Sequence, residues 1–195
     1  MLILATKSST KCSLMDRSGL EYTAMSADVD ERSIENAHPG LNAKETVILL
    51  AQAKAKKLSL VYPNEFIIAA DTFGVLPDGS RLHKAKTTEE TMKMCLSQSG
   101  QTVTIYTGIC VAHRSKFHTD TTETKITYTN FDRTTLEKVW ARVAGSVRRN
   151  AALGFHVDAP GFTLVERIEG SYLGALGLPL DKVRLLLHHV GYENI

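Results

Sequence analysis

Apolar and polar positions divide this chain into short unbroken runs and longer periodic stretches. Phe66-Ile67-Ile68-Ala69-Ala70 is five apolar residues in a row, closed by Asp71 and Thr72. A run that short and continuous predicts a strand buried on both faces, with Asp71 at its C-terminal end. Leu2 to Ala5 reads as a first strand, and Glu21 to Ala24 as a short one. Ala43 to Leu60 predicts the clearest helix, with Val47, Leu50, Ala51, Lys54 and Leu58 at helical spacing. Cys12 to Leu20 predicts another, with Leu14 and Met15 inward, Ser8 or Ser9 as cap and Gly19 as stop. Thr87 or Thr88 opens a helix to about Ser97. Thr102 to His113 and Thr119 to Tyr128 are rich in β-branched residues and flank Ser115-Lys116, which predicts a hairpin. Thr134 to Val143 reads as a helix with Trp140 inward, and Phe162 to Ile168 as a strand. A glycine-rich loop, Gly170 to Gly177, precedes a last helix ending near His189 with Leu185, Leu186 and Val190 buried. Ala27 to Arg32, Pro77-Asp78-Gly79 and the basic stretch Arg81 to Lys86 read as loops. Strands alternating with helices define an α/β chain.

Composition narrows the picture without changing it. A length of 195 residues, with no repeat, low-complexity tract or long linker, suits a single domain over 1–195. The 23 basic residues nearly balance 21 acidic ones, for a net charge of +2, which argues against a nucleic-acid or membrane surface. A small anionic ligand needs only a few placed cations and stays open. Cys12, Cys95 and Cys110 form no CxxC, so reduced thiols are expected rather than a disulfide framework. The apolar start is too short for a signal peptide or a membrane span, and a cytoplasmic location is the expectation. No zinc-ligand spacing, Walker A motif or G-x-G-x-x-G is present.

Four features carry candidate chemistry, each with a plain alternative. A carboxylate at a buried strand end, Asp71, can hold a divalent cation or accept a proton from water; it can also simply begin a turn. Thr6-Lys7-Ser8-Ser9-Thr10-Lys11, between a strand and a helix start, makes an anion site of unpaired backbone N–H groups and lysines, or an ordinary cap. Asp28, Asp30 and Glu31 repel one another unless a cation offsets them, and otherwise form a solvated loop. Lys54, beside an apolar stripe, needs water or an anion for its head; snorkelling is the simple account.

In order along the chain, Leu2-Ile3-Leu4-Ala5-Thr6-Lys7-Ser8, Asp30-Glu31, Leu50 to Ala55, Ala70-Asp71-Thr72, Lys84, Thr104 to Gly108, Glu166 to Tyr172 and Gly177-Leu178-Pro179-Leu180 resemble the Maf-like nucleoside triphosphate pyrophosphatases. The resemblance spans essentially the whole chain. It implies a Maf or ITPase-like α/β fold: an elongated mixed β-sheet flanked by helices, in two lobes around a nucleotide-binding cleft. It also implies a homodimer that hydrolyses a nucleoside triphosphate to monophosphate and pyrophosphate with Mg²⁺ or Mn²⁺. Asp71 is then the proton acceptor and, with Glu31, a metal-linked carboxylate. Lys54 and Lys84 hold the phosphate chain, and Ser8 and Lys11 lie at a phosphate-binding helix start.

The departures are as specific as the matches. The family's Ser-Pro-Arg-Arg is here Ser8-Ser9-Thr10-Lys11, which loses a rigid helix start and a bidentate phosphate contact. Its Lys-Pro is Lys84-Ala85, and its Lys-Ala-Gly is Ala151-Ala152-Leu153. The base-tuning positions correspond to Thr10, Thr72 and Asp158. Thr10 and Asp158 lean towards the 7-methyl-GTP subgroup and Thr72 towards the dTTP/UTP subgroup. Asp158 can accept from a guanine N1–H and amino group, and Phe155 can stack on a base. The altered turn also motivates a second expectation, a nucleotide-binding regulator of cell division with little catalysis.

Overall fold

A computed structural model describes residues 1–82, 85, 87–142, 157 and 160–193 of the chain. Lys84, Phe155, Asp158 and the stretch Ser146 to Leu153 lie outside the described residues. A mixed seven-stranded sheet forms the middle layer, in the order β2-β1-β3-β5-β6-β7 with β4 on β3. Its strands are β1 (Leu2–Ala5), β2 (Thr23–Met25), β3 (Phe66–Val75), β4 (Arg81–Leu82), β5 (Thr102–His113), β6 (Lys116–Tyr128) and β7 (Val165–Gly170). β1 runs parallel to β2 and β3, and the remaining pairs are antiparallel.

Side-chain alternation along β3 splits the core into two. Ile67 and Ala69 pack with Ile3, Ala5, Cys110 and Ala112 under α3 (Ala43–Val61), through its Ala51, Ala55 and Leu58. Ile68 and Ala70 join the larger core on the other face, with Ile105, Ile109, Leu136, Trp140 and Leu187. That second face carries α1 (Ser9–Asp16), α4 (Thr88–Leu96), α5 (Arg133–Ala141) and the last helix, α7 (Leu180–His189). A short helix α6 (Tyr172–Ala175) lies inside the glycine-rich loop. Burial pushes the thiols of Cys95 and Cys110 up to about 12, and none of the three cysteines is in a disulfide. No helix among the described residues is long and apolar enough to cross a membrane.

The expected α/β architecture of a mixed sheet flanked by helices is present, and several boundaries move. The strand holding Asp71 does not stop there: β5 pairs with β3 as far as Val75 opposite Thr104, so Asp71 is mid-strand. The acidic segment is not all loop; Asp30 caps α2 (Glu31–Asn36) by accepting from the Ser33 N–H. Ser8 caps α1, which is shorter than expected. Part of the basic loop is β4. The Thr119 start moves back to Lys116, because Arg114 takes φ 55° and closes a tight hairpin, pairing His113 with Lys116. Residues Pro160–Leu164 form a 3₁₀ turn ahead of β7. Leu185 is 41% exposed rather than buried, since α7 turns Val183, Leu186 and Leu187 inward instead.

Candidate active site

The site begins with an interruption along one edge of β3. β1 covers that edge from Phe66 to Ile68, and β4 covers it from Gly74 to Val75. Between them, from Ala69 to Phe73, neither strand pairs with β3. A cleft of about 1030 Å³ opens there, lined by the Thr6–Lys11 turn, Glu31, Lys54, Asp71, Thr72 and Arg81 among others.

Asp71 and Thr72 point to opposite faces of the sheet. Asp71, 8% exposed, turns towards α3. Lys54 meets it from α3, its Nζ donating to Asp71 Oδ1 at 2.5 Å. The same ammonium pairs with Glu31 Oε1 at 2.7 Å. Burial alone would push the Lys54 ammonium down; Asp71 and then Glu31 outweigh it and hold its pKa above the ordinary 10.5. The lysine that looked misplaced on an apolar stripe is therefore the bridge between two carboxylates. Glu31 reaches it from the first residue of α2, directly after the Asp30 cap.

The Thr6–Lys11 turn forms the second wall. Thr6 Oγ1 accepts from the Ser8 N–H at 3.0 Å, and Ser8 Oγ accepts from the Lys11 N–H at 3.4 Å. Lys7 reaches across to Asp28 at 2.6 Å, and the carboxyl of Asp28 is held below its usual range by that contact. Lys57 donates to the carbonyl of Asp28, whose backbone takes φ 45°. These contacts tie the β2–α2 segment to the rim.

On the opposite face, Thr72 shares a 2.8 Å hydrogen bond with Thr107, its register partner on β5. Gly177 brings the chain after α6 against this spot: a Cβ there would stand 3.1 Å from Thr72 Oγ1 and 3.6 Å from Lys11 Nζ. Lys11 and Thr72 thus come together although they are far apart in sequence. Thr10 lies in the same cleft wall. Arg81 escaped the sequence reading. Its guanidinium lies 3.6 Å above the Phe73 ring, pairs with Glu35 at 3.1 Å and lines the cleft. A lone arginine in a basic stretch gave no signal for that.

Two carboxylates and no third ligand converge here: among the described residues no group of three His, Cys, Asp or Glu could hold a metal ion. The pair Asp71 and Glu31 still fits a hard divalent ion of the Mg²⁺ kind, which uses one or two carboxylates and takes its other oxygens from substrate phosphates and water.

Fold and site together define an α/β protein whose charged cleft is organised around a lysine-bridged carboxylate pair. The chain belongs to the Maf-like protein family, whose model matches residues 1–190. A dTTP/UTP pyrophosphatase of Methylobacillus flagellatus is 33% identical, over 97% of this chain and 92% of that protein. A nucleoside triphosphate pyrophosphatase of Corynebacterium diphtheriae is 30% identical, over 98% and 95%. A 7-methyl-GTP pyrophosphatase of Bartonella henselae is 28% identical, over 96% and 94%.

Proposed function

We propose that this protein hydrolyses a nucleoside triphosphate to the monophosphate and pyrophosphate with the help of a divalent cation. The observation that carries this is Lys54 held between Asp71 and Glu31 at the cleft. A water oxygen bonds to the α-phosphorus, the bond to the bridging oxygen breaks, and its electron pair leaves with pyrophosphate. Asp71 takes the water proton. Lys54 offsets charge developing on the phosphoryl oxygens, and Lys11 with the first N–H groups of α1 holds the phosphate chain. Lys84 is assigned to the same chain. Bound to Asp71 and Glu31, Mg²⁺ or Mn²⁺ would supply further neutralisation of phosphate charge.

The matched relatives divide between a pyrimidine and a methylated-purine name, and this chain mixes the two patterns at Thr10, Thr72 and Asp158. The substrate class is therefore a triphosphate of uracil, thymine or a 7-methylguanine-like base. Asp71→Asn keeps the shape of the side chain and removes its basicity. Pyrophosphate release with Mg²⁺ or Mn²⁺ is expected to fall about 10²–10⁴-fold, with an unchanged circular dichroism spectrum. Undiminished turnover in that variant would refute the assignment. Nucleotide binding without pyrophosphate release by the wild type would favour the regulatory role.

A further inference from the structure

We infer that Thr107 is a positioning residue that makes the Thr72 hydroxyl an obligate hydrogen-bond acceptor towards the nucleotide, so that the cleft selects for a donor on the nucleoside. This rests on the nucleotide reading of the cleft and sharpens it.

The polarity follows from a chain of three oxygens. Thr107 Oγ1 lies 2.8 Å from the carbonyl oxygen of Gly174 and 2.8 Å from Thr72 Oγ1. A carbonyl can only accept, so the single proton of Thr107 goes to Gly174. Thr107 can then only accept from Thr72, and the single proton of Thr72 is committed inward. What Thr72 offers the cleft is lone pairs. Lys11 Nζ, close by around Gly177, can only donate and leaves that polarity unchanged.

The network is built firmly enough to keep this direction. Thr107 is fully buried. Gly174 stays close because Thr124 Oγ1 also donates to the Ser171 carbonyl at 2.8 Å, and Ser171 Oγ caps α6 at the Gly174 N–H at 3.0 Å. Gly174 has no side chain to interfere: a Cβ there would meet Thr122 Cβ at 3.0 Å and overlap its hydroxyl. Thr72, Thr107 and Thr122 are register partners across β3, β5 and β6.

Position makes the polarity matter. The cleft lining includes lysines, hydroxyls and the carboxylate pair, which suit phosphates. It also includes the apolar Ala70, Leu82, Ile105, Ala175 and Leu176, which suit a flat base or a sugar face. Thr72 is a polar group of the same lining. A ring N–H such as that of uracil or guanine, an exocyclic amino group or a ribose hydroxyl satisfies it; a carbonyl oxygen or a ring nitrogen without a proton placed there sets lone pair against lone pair.

Binding of α,β-methylene UTP, its N3-methyl derivative and the dUTP analogue, measured by calorimetry, tests this without requiring turnover. Wild type is expected to bind the uracil analogue about tenfold more tightly than the N3-methyl one, which has no donor on its base, if the base supplies the donor, or the ribose about tenfold over the deoxyribose if the sugar does. Thr107→Val frees the Thr72 proton and should collapse that ratio, Thr107→Ser should restore it, and Thr72→Val should abolish it with Thr107 intact. A ratio is unaffected by the fraction of protein folded, so general loosening cannot mimic its loss. Preference in neither arm, or a preference untouched by Thr107→Val and Thr72→Val, overturns the inference while leaving pyrophosphate release from UTP to stand or fall alone. Binding of these analogues with no pyrophosphate released from UTP sinks the catalytic reading and leaves this one intact. Failure to bind any of the three overturns this inference and confines the proposed function to a 7-methylguanine-like triphosphate.

Discussion

Lys54 concentrates the energetics of the site in one side chain. Its side chain is 13% exposed, and its ammonium is shared by Asp71, whose side chain is 12% exposed, and the more open Glu31. Removing it leaves two carboxylates facing each other. Lys54→Met is expected to cost about 2–4 kcal/mol in urea unfolding, the lower part of the buried-pair range because Glu31 remains half in water. Pyrophosphate release should drop about 10²–10³-fold. The pH dependence has a definite sign. The folded pKa of Lys54 lies above its ordinary value, so its contribution is complete below the unfolded pKa and fades only as pH rises through the folded one. Comparing wild type with Lys54→Met by urea unfolding should give a constant difference from about pH 7 to pH 9 that shrinks above pH ~10.5. A difference that already shrinks at neutral pH would contradict this assignment of charge. At this scale the sequence was partly legible. A lysine interrupting an apolar stripe announced itself, and Asp71 did so by ending an apolar run. Their partners gave weaker signals, because what brings Thr107 to Gly174 or Lys11 to Gly177 is tertiary and has no local pattern.

Among the elements, the approach of α3 to β5 sets where Lys54 stands. Gly108 lies opposite Asp71 in the register, and a Cβ added there would fall 2.6 Å from the Ile48 backbone nitrogen of α3. Gly108→Ala must push the helix outward and carry Lys54 with it. The expected loss is about 1–3 kcal/mol of stability, measured by urea unfolding, with turnover reduced by more than the fraction unfolded explains. Equal activity per folded molecule would show that the helix can yield without disturbing the site. The long periodic elements, α3 and β5, were readable from their hydrophobic spacing. α2 was not: it has no buried residue, and it is held by the Asp30 cap and by ion pairs from Glu31 to Lys54 and from Glu35 to Arg81. The extension of β3 past Asp71 was equally hidden. It follows from pairing with β5, and a strand continued by its neighbour needs no apolar run of its own.

The whole molecule places two chemistries on opposite faces of one strand, with Asp71 under α3 and Thr72 beside Thr107. A ligand spanning both would join the β1–α1 turn, α2, α3 and the α6 segment around β3. An α,β-methylene triphosphate with Mg²⁺ at about 100 times its Kd should therefore add about 2.7 kcal/mol, or roughly 5–10 °C in Tm. A thermal scan of wild type showing no shift would argue against a single ligand engaging these parts together. The uncovered stretch from Ala69 to Phe73 has a consequence for how such a protein can change. The mouth exists because two flanking strands stop short of each other, like a zip left open at its middle. Lengthening either by a few residues would let main-chain amides close the seam, and an intact, stable molecule would lose its entrance without altering one reacting group.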